Sequence, residues 1–407
     1  MAAYPYKISD SRELAEAVFK IGADPRSIPF FDTKKEIIPI FISDVDFRAA
    51  NVIKQEMLSR GGDSVIHKNC IDCGVEKTNI ILLGTEKQYC LLISKLGLMP
   101  YWGLDTIKKD LENIIKSLRK DKWKVALPGG ESLDLGGKTI VMGILNLTKD
   151  SFYSPSRVDS EKSFLEKAAS MLEQGAAILD IGAESTRPGA EKISMGNEKN
   201  KIIPAVKALC KHFPHAIISI DTYKAEVARE AASEGAHIIN DISGMTFDPE
   251  MTETVAKTQT AVVINHIQGT PENMQKDPRY ENITGEITEW FRKRLDSVIK
   301  AGIPSEKIIL DPGIGFGKKI GDNIAILKNL YSLKGLGLPI LIGHSRKTFI
   351  GELQHQPDPK DRLIGTLAIS ALCAMENVQI IRVHDVEENV RIVNTIAAVK
   401  EARSCLL

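Results

Sequence analysis

The chain has 407 residues, 43% of them hydrophobic, and its 53 basic side chains balance 53 acidic ones. That length allows about two to three domains and a large core, and the neutral balance excludes a duplex-wide nucleic-acid surface while leaving room for a local basic cluster that binds a small anion. No stretch approaches the ~20 apolar residues of a membrane span, residues 1–7 lack a signal peptide's apolar segment, and six scattered cysteines are no disulfide framework, so a soluble cytoplasmic protein with reduced thiols is expected.

In chain order, residues 1–125 read as a small α/β domain. A helix opened by Ser9 or Ser11 comes first, then a strand over 36–42, a helix over 47–60, strands over 64–67 and 79–83, and helices over 86–96 and 105–120. Residues 126–407 form the second domain. At its start, apolar runs at 123–127 and 132–135 flank Pro128-Gly129-Gly130 and predict a hairpin, with Gly136-Gly137 as a second break. Such a hairpin is suited to plug the amino-terminal end of a barrel.

From Lys138 onward, short apolar runs alternate with helical patterns. The runs are 140–145, 178–181, 217–221, 237–241, 261–266, 308–311, 340–347 and 380–385; the helices are 160–173, 200–212, 225–234, 249–257, 286–301, 323–333, 361–375 and 386–400. Each run ends in a polar residue or leads into one, 140–145 into Asn146 and 178–181 into Glu184, as a strand buried on both faces does when its carboxyl end reaches the rim where α/β enzymes place their ligands. The eight units predict a (β/α)8 TIM barrel. A doubly wound sheet is the alternative, but it predicts one glycine-rich turn after its first strand, whereas polar tips here follow all eight.

Two motifs carry less than they suggest. Asp311-Pro-Gly-Ile-Gly-Phe-Gly-Lys318 has neither the spacing of a phosphate loop nor a Ser or Thr after its lysine, and reads as a tight connection above a barrel strand. Cys70 and Cys73, near His67, lack a second ligand pair at zinc spacing and read as loop cysteines.

The strand tips form a chemically specific set. Asp221, Asn240 and Asp311 offer two carboxylates and an amide, Lys347, Arg382 and His384 offer cations and donors, and Arg187 adds a cation on a loop. Any one alone is ordinarily a helix cap or an ion-pair partner. Together they suit a flat nitrogen heterocycle whose amino-amidine edge meets carboxylates and whose phosphate meets cations.

Eight ordered motifs resemble those of the dihydropteroate synthase family. They are Asn146-Leu-Thr-Lys-Asp-Ser-Phe152, Asp180-Ile-Gly-Ala-Glu-Ser-Thr-Arg-Pro-Gly189, Ile220-Asp-Thr-Tyr-Lys224, Ile239-Asn-Asp-Ile-Ser-Gly244, His266-Ile-Gln-Gly-Thr-Pro271, the Asp311 to Lys318 stretch, Ser345-Arg-Lys347 and Arg382-Val-His-Asp385. The resemblance covers residues 138–400; the first 125 look like the extension of longer bacterial members. It implies condensation of 6-hydroxymethyl-7,8-dihydropterin diphosphate with 4-aminobenzoate, giving dihydropteroate and pyrophosphate, in an enzyme that sulfonamides target. It also implies roles. Asp311 would bind the amino-pyrimidine edge, Asp221 and Asn240 the other ring nitrogens, and Lys347 the carbonyl side. Arg382 would stack on the ring and, with His384, Asn146 and Arg187, hold the diphosphate, Asn146 also meeting Mg2+. Phe152, Thr186, Pro188, Phe316 and Thr348 would enclose the aminobenzoate. Lys347, Arg382, His384 and Asp221 are the expected catalytic set.

The sequence departs from the family where Ser154 replaces a loop aspartate, Pro155-Ser156 a glycine pair, and Asn265 a methionine of the pterin pocket; a polar Asn265 needs a partner, either protein or ligand. Alternatives are a pterin-dependent methyltransferase, which is not expected to keep both Ser345-Arg-Lys347 and Thr186-Arg-Pro-Gly189, and a non-catalytic pterin-binding protein. The expected partners are small molecules and a second copy of the chain, a homodimer through the barrel, with no nucleic acid and no membrane.

Overall fold

The computed structural model describes residues 8, 10–147, 157–184 and 193–402. The chain divides into two compact units, one running to Arg119 and the other comprising Lys120–Glu401. Among the described residues no helix is long and apolar enough to cross a membrane.

The first unit is built on a three-stranded antiparallel sheet of β1 (Ile38–Asp46), β2 (Asp63–Val65) and β3 (Lys77–Gly84), in the order β1-β3-β2. Helices Phe47–Leu58, Glu86–Leu96 and Leu104–Leu118 supply its core, in which Ile53, Met57, Leu92 and Leu111 are buried against Ile80 and Leu82. Two local expectations change. Helix Ser11–Ile21 is capped by the Asp10 carboxylate, which accepts from the Glu13 N–H at 2.8 Å, and Ser11 lies inside the helix; a carboxylate suits the positive end of a helix better than a hydroxyl. β1 does not end at Ile42. It continues through an irregularity between Ile42 and Val45, where Asp44 adopts φ +58°, so the strand carries a bulge at Ser43-Asp44 and does not stop there.

The second unit opens with a hairpin, β4 (Lys122–Ala126) and β5 (Ser132–Gly136), followed by eight parallel strands: β6 (Ile140–Asn146), β7 (Ile178–Gly182), β8 (Ile217–Asp221), β9 (Ile238–Asp241), β10 (Ala261–Asn265), β11 (Ile308–Asp311), β12 (Leu341–Ile342) and β13 (Ile380–Val383). Their order, β11-β10-β9-β8-β7-β6-β13-β12, is closed into a TIM barrel by a parallel bridge between Leu310 and Ile340. Period-two alternation sends one set of side chains outward, where Val141, Leu179, Ile181, Ile220 and Ile264 join the helices in the main core. The inward set at the amino-terminal end is sealed by the hairpin: Trp123, Val125, Leu127, Leu133 and Leu135 are buried with Met142, Ile178, Ile238, Val263, Ile309 and Ile380. One end of the barrel is therefore filled with apolar side chains, and polar chemistry is confined to the other.

The strand expected over 340–347 is the least regular. Only Leu341–Ile342 is extended, and the chain then leaves the sheet through Gly343 to Lys347, with Arg346 at φ +56°. Polar residues here need partners the sheet cannot give; buried His344 finds Ser370 Oγ at 2.8 Å and the Thr366 carbonyl at 3.1 Å. A helix at Thr348–Gln354 follows at once.

Because every rim residue with a candidate chemical role belongs to the second unit, a chain beginning at Lys120 is expected to keep the turnover per folded molecule of the full chain. Turnover measured on both at matched folded concentration checks this; a well-folded but inactive shorter chain contradicts it.

Candidate active site

The carboxyl ends of the strands converge on one guanidinium. Arg382, next to last in β13, donates from Nε to Asp180 Oδ2 at 2.5 Å and from Nη2 to Asp221 Oδ2 at 2.6 Å. Asn240 Nδ2 donates to the same Asp180 oxygen at 3.1 Å, so β13, β7, β8 and β9 are joined through polar side chains inside the barrel. Asp180 is fully buried, and its Oδ1 has no hydrogen-bond partner among the described residues. Burial pushes the Asp221 carboxyl up, Arg382 opposes that, and Asp180 adds to it. For Arg382 burial acts against the charge, but Asp180 and Asp221 more than reverse it, so the guanidinium stays charged.

Asp311 ends β11 in register with Asn265 of β10. Its Oδ1 accepts from the Gly313 N–H at 2.8 Å, and burial raises its pKa against the pull of Lys347. The turn demands glycine at 313: φ is +70°, and a Cβ there would lie 1.9 Å from the His266 carbonyl oxygen. Across from Asp311 stands Gly343, where a Cβ would sit 3.6 Å from Oδ2; its absence leaves room beside the carboxylate.

Lys347 donates to the Ile314 carbonyl, and its ammonium lies 4.2 Å from the centroid of the half-buried Phe316 ring. Burial lowers its pKa from 10.5 to about 8, Asp311 opposing. His384 faces Ser345, with Nδ1 at 2.9 Å and its own N–H at 3.1 Å from the serine oxygen, which orients the imidazole. Arg346, between Ser345 and Lys347, is turned to Asp385 in a two-toothed pair and joins the loops after β12 and β13.

The expected residues are therefore placed as follows. Asp221, Asn240 and Arg382 form one hydrogen-bonded cluster with Asp180; Asp311, Lys347 and Phe316 adjoin through the β11 connection; His384 lies beside Ser345. Asn146 is exposed at the end of β6, and its Oδ1 and Asp221 Oδ2 flank Gly182, 3.7 and 3.6 Å from where a Cβ would stand. Thr348 is exposed at the first position of its helix. Phe152, Thr186, Arg187, Pro188, Ser154, Pro155 and Ser156 lie outside the described residues. Asn265 donates to the Ile242 carbonyl at 2.8 Å, so its partner is backbone. Cys70 is buried in the first unit's core and His67 accepts from the Asn69 N–H as the cap of a short turn.

Three groups were not singled out from the sequence. Asp180 is the most central, and its signal was a carboxylate inside an otherwise apolar run, Ile-Leu-Asp-Ile-Gly. Lys318 and His266 form a buried pair, Nζ to Nδ1 3.0 Å. Lys224 bridges half-buried Glu184 and buried Glu198 and also donates to the Ile193 carbonyl at 2.8 Å, tying both roots of the β7 connection to that of β8.

A fold and rim of this kind define a TIM-barrel enzyme that binds a charged heterocycle. A family described as pterin binding enzyme matches residues 142–384. The chain belongs to this family. Its relatives include the dihydropteroate synthase of a Synechocystis species, 43% identical over 268 residues that make up 66% of this chain and 92% of the relative. A crystal structure of Yersinia pestis dihydropteroate synthase in complex with a sulfonamide drug is 41% identical with a TM-score of 0.64, covering 69% of this chain and all of that one. A Halobacterium salinarum protein whose name pairs folylpolyglutamate synthase with dihydropteroate synthase is 35% identical over 357 residues, 88% of this chain and 42% of its own length. That alignment is longer than the barrel unit, so it reaches into the first unit as well.

The lowered pKa of Lys347 has a sign that can be measured. An unfolded lysine holds its proton to about 10.5 and the folded one only to about 8, so its buried charge costs stability below pH 8 and that cost disappears as pH rises toward 10.5. Wild type is therefore expected to gain stability relative to Lys347→Met between about pH 8 and 10.5, while its turnover falls as the ammonium is lost. Urea unfolding of both across that range, beside the pH–rate profile, checks the pair of trends.

Proposed function

We infer that the chain is a dihydropteroate synthase, joining 6-hydroxymethyl-7,8-dihydropterin diphosphate and 4-aminobenzoate into 7,8-dihydropteroate with release of pyrophosphate. The observation that supports this best is the division of the rim: carboxylates and an amide on β8, β9 and β11, with Arg382, Lys347 and His384 around them. The reaction forms a bond from the aminobenzoate nitrogen to the pterin methylene carbon and breaks the bond from that carbon to the diphosphate oxygen. Positive charge develops on the pterin and negative charge on the leaving oxygen, so acceptors belong at the ring and cations at the diphosphate.

In this reading Asp311, Asp221 and Asn240 hold the pterin ring and Lys347 its carbonyl. Arg382 moves its contacts from Asp180 and Asp221 toward the diphosphate, with His384 beside it. Phe316 and Thr348, with Phe152, Thr186 and Pro188, receive the aminobenzoate, and Arg187 joins the cations at the diphosphate. For Mg2+, the donor set is suggestive: among the described residues no group of three or more His, Cys, Asp or Glu is arranged for a metal, but the exposed amide oxygen of Asn146 stands beside Asp221. One or two protein oxygens with substrate phosphates is a common way to bind magnesium, and Asn146 would hold it here. When bound, Mg2+ would neutralise charge on the leaving diphosphate. A cytoplasmic setting accords with the five described cysteines, all free thiols. A homodimer through the barrel accords with Tyr331, Leu353, Ile364 and Met375, large apolar side chains exposed on its last units.

Purified protein with both substrates and Mg2+ is expected to form dihydropteroate and pyrophosphate in equal amounts. Pyrophosphate release that continues at full rate without aminobenzoate would mark a hydrolase, and binding of pterin without turnover a non-catalytic pterin-binding protein.

A further inference from the structure

The connection above β11 is held carbonyl by carbonyl. Lys347 donates to Ile314 O, Gln275 Nε2 to Gly315 O at 2.9 Å, Lys318 Nζ to Phe316 O at 3.0 Å and Tyr280 OH to Gly317 O at 3.0 Å. Asn323 Oδ1 accepts the Gly315 N–H at 2.7 Å. Four consecutive carbonyls thus meet four side-chain donors, two of them from the connection after β10 and one from the loop after β12. A glycine-rich stretch with φ of +70°, +81° and +61° at Gly313, Gly315 and Gly317 has little stiffness of its own, so these donors supply it.

Lys318 is the pin that the rest of the site does not explain. It is only 3% exposed, and its three N–H donors are all taken up: by Phe316 O, by His266 O at 3.2 Å and by His266 Nδ1 at 3.0 Å. These acceptors are neutral. The imidazole can accept at Nδ1 only when unprotonated there, and burial beside Lys318 pushes His266 down to about 2. Trp290 meets the His266 ring edge to face at 5.0 Å and fixes its plane. Burial lowers the Lys318 pKa to about 7 against the attraction of the Asp311 carboxylate, which is not among its hydrogen-bond partners; an amine that grips two carbonyls and an imidazole fixes directions. The direction it fixes is that of Phe316, whose ring carries the Lys347 ammonium on its face.

We propose that Lys318, oriented by His266, is a positioning residue for the second substrate: it sets the Phe316 ring where 4-aminobenzoate meets the pterin, while Lys347 keeps its own hold on the Ile314 carbonyl. This rests on the synthase reading above. Asp311, Asp221 and Asn240 reach the pterin from the strands themselves, so loosening the connection leaves the pterin's acceptors where they are. Aminobenzoate, enclosed by the connection's own ring, takes the whole effect.

The test uses the full chain as wild type, Lys318→Met and Tyr280→Phe, the last removing one outer donor with almost no change of shape. KM for 4-aminobenzoate is measured by turnover, and the dissociation constant for the pterin diphosphate by direct titration. Lys318→Met is expected to raise the KM about tenfold or more, the effect of losing one to two hydrogen bonds, with pterin affinity within about twofold of wild type. Tyr280→Phe is expected to raise the same KM by about two- to fivefold, and it carries the test if Lys318→Met does not fold. Unchanged KM in a folded variant, or pterin affinity falling in step with KM, overturns the proposal. Wild-type protein that makes no dihydropteroate overturns the reading of function and this inference together, whereas wild-type turnover with an unaltered KM in the variants overturns this inference alone.

Discussion

The rim of the barrel depends on one buried ion cluster. Closing eight parallel strands brings Asp180 and Asp221 from adjacent strands to the inside, together with Asn240 from the next. Two carboxylates withdrawn from water without a counter-charge would cost several kcal/mol each. Arg382 supplies the charge from β13, reaching past β6, and its planar fork serves both acids where an ammonium would serve one geometry poorly. The same guanidinium is the group that the proposed function sets against the diphosphate, so in that proposal one side chain serves as structural ion pair and as ligand-binding cation.

Around that cluster the loops are held by side chains more than by regular structure. Arg346 and Asp385 join the connections after β12 and β13; Lys224 joins those after β7 and β8 through Glu184, Glu198 and the Ile193 carbonyl; Lys318, Tyr280 and Gln275 join those after β10 and β11. The barrel's other end needs no such devices, because the hairpin fills it with apolar side chains. A site of several substrates requires groups held to fractions of an ångström, and buried, fully satisfied polar links do this where strands have ended.

How much of this was legible depended on the kind of signal. Period and length marked seven of the eight barrel strands and the hairpin to within a residue or two, since a strand covered on both faces has to be apolar. β12 misled because Gly-His-Ser-Arg-Lys follows an apolar run without a turn signal; its buried polar groups find partners on Thr366, Ser370, Asp385 and His384, none near in sequence. Asp180 is hidden for a related reason: this carboxylate sits two residues before the end of β7, inside the strand and away from its tip, where only the three-dimensional reach of Arg382 gives it a role. Lys318 and His266 stand in separate family motifs, and nothing local shows that a lysine after three glycines and a histidine at the tip of the preceding strand will touch. The family motifs named the chemistry; the contacts that hold them became visible only in the fold.

The central claim is that the mouth of this barrel reads a pterin through carboxylates borne by its strands. The most direct test is titration of the pterin diphosphate into wild type and Asp311→Ala. Stripping the acceptors from a buried donor edge is predicted to weaken binding by roughly 2–4 kcal/mol, about thirtyfold to a thousandfold, with the fold intact. Equal affinity in the two proteins would contradict the account.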